Sequence, residues 1–289
     1  MQIVTDSGVD LYPPPERTVE LDIHVVPLVV TLEGQSYREG IDIQKEEFYR
    51  LLANTKAMPT TSQPSAGDFA EIYRRLAATD PDILSIHMSS GLSGTLQSAL
   101  AGAEMVPEAN VTHVDTKTLS GAAGWQVEAA ARALQAGWSK AQVLDLLARV
   151  SDASESIFTL KELDYLIHGG RISHMKGLIA SLLKIKPIIG VEKEGGTYVQ
   201  RGSARAFKRA LSGLVDLMAE QHAPGSALRV QVMHAQNLEG AEMLREQIDQ
   251  RFACTWWPVR AMSLVLGAHT GPSMVGVAFA SSEALAGVP

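Results

Sequence analysis

Short apolar runs alternate along the chain with stretches in which apolar residues recur every three or four positions. The runs fall at residues 2–4, 24–31, 83–88, 111–114, 230–233 and 275–279, each of a length suited to a buried strand. Between them, residues 45–53, 66–78, 95–105, 122–136, 141–150 and 238–251 carry helical spacing. This alternation predicts an α/β fold with largely parallel sheets and crossover helices. Gly137 and Ser139 read as the stop of one helix and the N-cap of the next. After the small polar stretch 151–156 (SDASES) the pattern restarts at Phe158, which divides the chain into two expected α/β domains, residues 1–155 and 156–284. Residues 12–15 (YPPP) read as a stiff surface loop. A further stripe, Ile172, Met175, Leu178, Ile179, Leu182 and Leu183, follows the tripeptide Gly169-Gly170-Arg171. Core packing is the ordinary use of such a stripe, although one flanked by glycine turns could also wall an apolar tunnel.

Composition narrows the picture. The 289 residues are 46% apolar and 20% charged, enough for one large or two modest domains. The net charge is -7 and no Lys/Arg-dense run is present, which argues against a nucleic-acid partner. A single cysteine, Cys254, excludes an internal disulfide and a multi-cysteine metal site. The opening MQIVTD has neither a basic nor a long apolar region, and no apolar stretch reaches the ~18 residues of a membrane span. The expectation is a cytoplasmic protein with no stable membrane insertion.

Candidate chemistry gathers in two hydroxyl-rich loops. SSGLSGTLQSA, residues 89–99, follows the apolar run 83–88 and leads into a helix. In an α/β sheet such a place collects ligands, because free N–H groups and hydroxyls at a helix start suit an anionic oxygen. PTTSQPS, residues 59–65, precedes the helix expected from Ala66, and N-capping by Ser65 is its plainer reading. Two such loops together suggest a shared anion pocket. A nucleophilic Ser93 is a competing reading with His269 as base, but Gly91-Leu92-Ser93-Gly94-Thr95 lacks the last glycine of G-x-S-x-G. Arg171, after two glycines, reads equally as a phosphate or carboxylate partner and as a surface ion pair that follows a helix over 160–168. No phosphate-binding G-x-x-x-x-G-K-[ST] loop, no G-x-G-x-x-G after a strand and no H-E-x-x-H occurs, so no metal and no diffusible cofactor is implied.

Six motifs, in order over almost the whole chain, resemble the bacterial DegV family of fatty-acid-binding proteins. They are Thr5-Asp6-Ser7, PTTSQPS at 59–65, SSGLSGTLQSA at 89–99, DYLIHGGRIS at 164–173, LKIKPI at 183–188 and His269-Thr270-Gly271-Pro272. The resemblance implies two α/β domains that clasp a long acyl chain, such as hexadecanoate, with its carboxylate at the domain interface. It implies a protein that is not an enzyme by itself and that presents the bound acid to a separate ATP-dependent fatty acid kinase, which makes an acyl phosphate for phospholipid synthesis. It assigns carboxylate contacts to Thr61, Ser62, Ser93, Gly94 and His269, and phosphoryl transfer or kinase docking to Arg171 and Arg205. Three departures stand out: Ser273 where the family has a further glycine, Asp115-Thr116 where it has Asp-Ser, and Phe207 where it has a second basic residue. A lipid-responsive sensor without a kinase, and an acyl-ester hydrolase that uses Ser93, stay open as alternatives.

Overall fold

The computed structural model describes residues 1–11, 21–175 and 185–288. The first part of the chain runs β1 (Gln2–Asp6), β2 (Ile23–Val26), β3 (Val29–Leu32), β4 (Gln35–Arg38), α1 (Lys45–Ala53), β5 (Thr60–Ser62), α2 (Ala66–Ala77), β6 (Asp82–His87), α3 (Thr95–Glu104), β7 (Asn110–Asp115), α4 (Ser120–Gln135) and α5 (Lys140–Ala153). The rest runs β8 (Ser154–Thr159), α6 (Asp164–His168), a 3-10 turn (Arg171–Met175), β9 (Lys186–Val191), β10 (Tyr198–Ala204), α7 (Phe207–Gln221), β11 (Ala227–His234), α8 (Leu238–Asp249), β12 (Ala253–Ala261), α9 (Leu264–Thr270) and β13 (Val275–Ser281). Strands form a four-stranded sheet in the order β2-β1-β6-β7, a six-stranded sheet β10-β9-β8-β13-β11-β12, and a small sheet β4-β3-β5.

The two larger sheets and their helices stack in alternating layers. On one face of the four-stranded sheet, Val4, Val26 and Ile83 share a core with Phe69, Ile72, Tyr73 and Leu76 of α2 and Ala99 of α3. The other face, with Ile3, Leu84 and Ile86, shares a core with Ala122, Trp125 and Ala129 of α4. That core continues into Phe158, Ile189, Ala278 and Ala280 on the near face of the six-stranded sheet. Its far face buries Val275, Val277 and Phe279 under α7 and α8, the period-2 alternation of a strand covered on both sides. Helix α4 thus lies between the sheets and is buried on nearly every side. Its glycines permit this: a Cβ on Gly124 would strike the Asp10 carbonyl, and one on Gly121 would lie 2.7 Å from Gln231 Oε1 and 2.9 Å from Met233 Sδ.

The α/β class holds, and the four-stranded sheet is parallel throughout. The six-stranded sheet departs from the expected parallel pairing: only β11 and β12 run parallel, and the other four pairings are antiparallel. Connection length accounts for two of these five pairings. A crossover helix joins β11 to β12, whereas β9 turns into β10 through residues 192–197, a span that antiparallel strands alone can use. The apolar run 24–31 is likewise two strands in two sheets. Pro27, which has no N–H, separates them, and the next N–H, that of Leu28, goes to Ser7 Oγ at 2.9 Å.

Elsewhere local signals hold. Ser139 forms a capping box with Gln142 at the start of α5, after Gly137 at φ +82°. The helix expected over 160–168 shortens to α6. The loop at 12–15 and the stripe positions Leu178, Ile179, Leu182 and Leu183 lie outside the described residues. Among the described residues no helix is long and apolar enough to cross a membrane.

Candidate functional site

The first hydroxyl loop leaves the end of β6 and is pinned on both sides. Ser89 donates from its N–H to Thr118 O and from its hydroxyl to Gly196 O, both at 2.8 Å. Ser90 donates to Asp115 through its hydroxyl at 2.5 Å and its N–H at 3.2 Å. Burial pushes the Asp115 carboxyl up, but hydrogen bonds from Ser90 and Lys117 outweigh it and hold the group below its ordinary range. A Cβ on Gly91 would run into the Gly195 carbonyl, so at this point the loop approaches the β9–β10 turn closely enough that only glycine fits. Ser93 Oγ lies 2.8 Å from Thr95 Oγ1 and accepts the Thr95 N–H at 3.3 Å at the start of α3.

The second loop meets the first where the Gln63 amide packs against Gly94, with no room for a Cβ there. Its residues divide their roles. Ser65 forms a capping box with Asp68 on α2, Ser62 is exposed, and Thr61 Oγ1 lies 2.8 Å from His269 Nε2. Pairing of Thr61 with Val30 places it on the small sheet, and His269 occupies the last turn of α9. The His269 ring lies so close to Gly169 that a Cβ there would collide with it. Burial foremost, then the charges of Arg171 and His168, lower its pKa to about 4, so the ring is neutral at pH 7. Its Nδ1 is buried and has no hydrogen-bond partner among the described residues.

Arg171 closes the arrangement. Its Nη1 donates to Gly169 O at 2.8 Å and its Nε to Leu92 O at 3.3 Å, tying the turn after α6 to the first hydroxyl loop. Ser90, Leu92, Ser93, Gly94, Gly169, Gly170 and Arg171 line a cavity of about 330 Å³ between them. The residues assigned from the sequence therefore fall into three places. Ser93, Gly94 and Arg171 line the cavity, Thr61 and His269 pair behind Gly169, and Ser62 and Arg205 are exposed and do not line it. Ser273 faces away from this place, where its hydroxyl donates to Glu162 at 2.6 Å and accepts the Lys161 N–H at 2.9 Å.

The hydrolase constellation is not brought together. Ser93 is bonded to Thr95, His269 to Thr61, and no carboxylate reaches His269 Nδ1 among the described residues. The Cys254 thiol is pushed up to about 11 by burial and then by Asp249, opposite to the shift of a reactive cysteine. No cluster of three His, Cys, Asp or Glu suited to a metal occurs among the described residues. Sequence reading missed two contributors: Gln63, an amide among hydroxyls with no spacing signal, and Glu39, whose partner Ser263 is 224 positions away.

Known proteins with this architecture are numerous. A family model described as DegV matches residues 1–282. A DegV domain-containing protein of Halalkalibacterium halodurans is 34% identical over 278 residues, 96% of this chain and 97% of its own length. A second, from Deinococcus radiodurans, is 34% identical over 278 residues and covers 96% and 94%. Among solved structures, DegV from Bacillus subtilis, described as a fatty acid binding protein, superposes with a TM-score of 0.87 at 30% identity and covers 97% of this chain and 99% of its own. A Thermus thermophilus DegV family protein described by its fatty acid binding gives 0.85 at 31%, covering 97% and 99%. A stearic acid-binding protein of Eubacterium ventriosum gives 0.81 at 26%, covering 97% and 98%. With the family model spanning nearly every residue and the same fold in these structures, the chain belongs to the DegV family.

Proposed function

We propose that this protein binds a long-chain fatty acid, holds its carboxylate between the hydroxyl loops and α9, and presents it to a separate ATP-dependent fatty acid kinase that forms the acyl phosphate. The observation that carries the reading is the Thr61–His269 pair beside a polar cavity lined by Ser93 and Arg171, in a chain whose family includes fatty-acid-binding members. An unpartnered His269 Nδ1 is better tolerated as a lone pair than as an N–H, which puts the ring proton on Nε2. Nε2 then donates to Thr61 Oγ1, and the Thr61 hydroxyl proton is released to donate to a ligand carboxylate. Ser93 supplies a second hydroxyl beside Gly94, and Ser62, outside the cavity lining, joins them in this reading only as part of the same motif. Arg171 lends positive charge with no carboxylate partner among the described residues, which suits an acid that must leave as its phosphate. Arg205, on the surface after β10, belongs to kinase docking in this reading.

At ~0.8 kcal/mol per buried CH₂, the tail supplies affinity and the head group supplies orientation. The division of the chain near residue 155 belongs to the same reading, since a mixed anhydride held between two halves is shielded from water. The test is organic extraction of the denatured, purified protein and mass spectrometry. Near-stoichiometric fatty acid in the wild type, reduced in Thr61→Ala and in Ser93→Ala, is the expected result. Folded wild-type protein free of lipid refutes the proposal. Addition of a fatty acid kinase and ATP to the loaded protein then tests the second half, with acyl phosphate as the product.

A further inference from the structure

Helix α9, which carries His269, is held at both ends by the same small sheet. At its C-terminal end His269 meets Thr61 on β5. At its N-terminal end the Leu264 N–H donates to Glu39 Oε1 at 2.8 Å and the Ser263 hydroxyl to Glu39 Oε2 at 2.7 Å. Glu39 directly follows β4, is buried, and is fixed in turn by its N–H on Leu28 O at 3.0 Å and by the Ser7 hydroxyl at 3.0 Å. Beside it Asp10 accepts the Ser263 N–H at 3.2 Å, the Ser120 hydroxyl at 2.7 Å and Lys45 Nζ at 2.7 Å, while Lys45 also reaches Ala261 O at 3.0 Å. The helix has no freedom along its length either, because Tyr49 packs against Gly267 with no room for a Cβ and donates to Met262 O at 3.2 Å.

A rigid two-turn helix clamped at both ends transmits a shift at one end to the other. We infer that Glu39 is a positioning residue for head-group recognition: its carboxylate sets α9 against the small sheet, and with it the point at which the His269 ring meets Thr61. This rests on the proposed carboxylate site, and it assigns to Glu39 selectivity for an acid head group, not affinity for the tail.

The experiment compares competitive binding of tetradecanoate and 1-tetradecanol, which share a tail and differ in head group. The wild type prefers the acid. Glu39→Gln lowers that preference by roughly tenfold, the scale of one charged hydrogen bond, with alcohol affinity unchanged. Ser263→Ala, which keeps Glu39 but removes one of its donors, lowers it in the same direction by about threefold and decides the matter if Glu39→Gln does not fold. Tyr73→Phe, which loosens a buried network away from α9, lowers stability and leaves the preference intact. Equal loss of acid and alcohol binding in Glu39→Gln, or an unchanged preference in both variants, overturns the assignment while the carboxylate site stands. A wild type without preference for the acid overturns the carboxylate site itself, and the assignment with it.

Discussion

Two buried carboxylates at strand ends in different sheets, Asp6 at the end of β1 and Glu39 just after β4, make an instructive pair. Asp6, at the end of β1, accepts from Gly8 N at 2.9 Å, Met88 N at 3.0 Å and His87 Nδ1 at 2.9 Å; His87 Nε2 meets Ser85 Oγ at 2.7 Å, and Ser85 meets Tyr73 OH at 2.7 Å. The order Ser, His, Asp is that of a hydrolytic triad, yet all four side chains are sealed from solvent and Ser85 is engaged by a tyrosine. The members of this network come from β1 and β6, the residues just after them, and α2, which packs on the same sheet. Glu39 has as many donors, but they come from Ser7 on one side and from Ser263 and Leu264 on the other, over 220 positions along the chain. Satisfied buried carboxylates look alike locally; what separates a packing device from an aligning one is whether the donors belong to one structural unit or to two.

The most severe way to break the comparison is Asp6→Ala, which strands the His87 and backbone donors and costs about 3–5 kcal/mol in urea denaturation. The surviving folded protein keeps its acid-over-alcohol preference; loss of that preference would merge the two clusters into one function. Next in size is an effect of pH on the helix that Glu39 holds. His269 has a folded pKa of about 4 against 6.5 unfolded, so the unfolded chain takes up its proton first as pH falls. Its contribution to stability is full above pH 6.5 and falls by about 3 kcal/mol down to pH 4. His269→Gln therefore shows a shallower loss of stability than wild type between pH 6.5 and 4, and parallel profiles would remove the neutral buried ring from the argument. The smallest effect is on the stability of Glu39→Gln, about 1 kcal/mol or less by the same denaturation. Burial raises the Glu39 carboxyl above its ordinary range, so above that folded pKa its charge weighs against folding, and an amide relieves part of what it loses in acceptors. A large loss there would return Glu39 to the class of Asp6.

Local chemistry made much of this legible in the amino-acid order. The capping boxes at Ser65 and Ser139, the stop at Gly137 and the strand–loop–helix passage through residues 89–99 need only near neighbours. Pairing direction was not legible in β8, β9 and β13, because antiparallel partnership depends on which distant strand arrives beside them. Strands β10 and β12 escaped notice for a related reason. Both are edges, which accommodates the polar residues of β10 and Pro258 within β12 and hides the apolar pattern of a covered strand. At the site, the hydroxyls of Thr61 and Ser93 stood out by density, whereas Glu39 is a single acid after a short strand and becomes meaningful only when α9 folds onto it.

Helix α4 has a consequence for how such a molecule can breathe. A wall common to two rooms cannot be removed from one of them, and the close approaches at Gly121 and Gly124 leave no gap through which the sheets could part along it. The chain is therefore expected to melt in one calorimetric step. If the proposed acyl ligand enters here, its passage falls to the loops at the rim, where Ser89 and Arg171 hold one side to the other through single hydrogen bonds to backbone carbonyls.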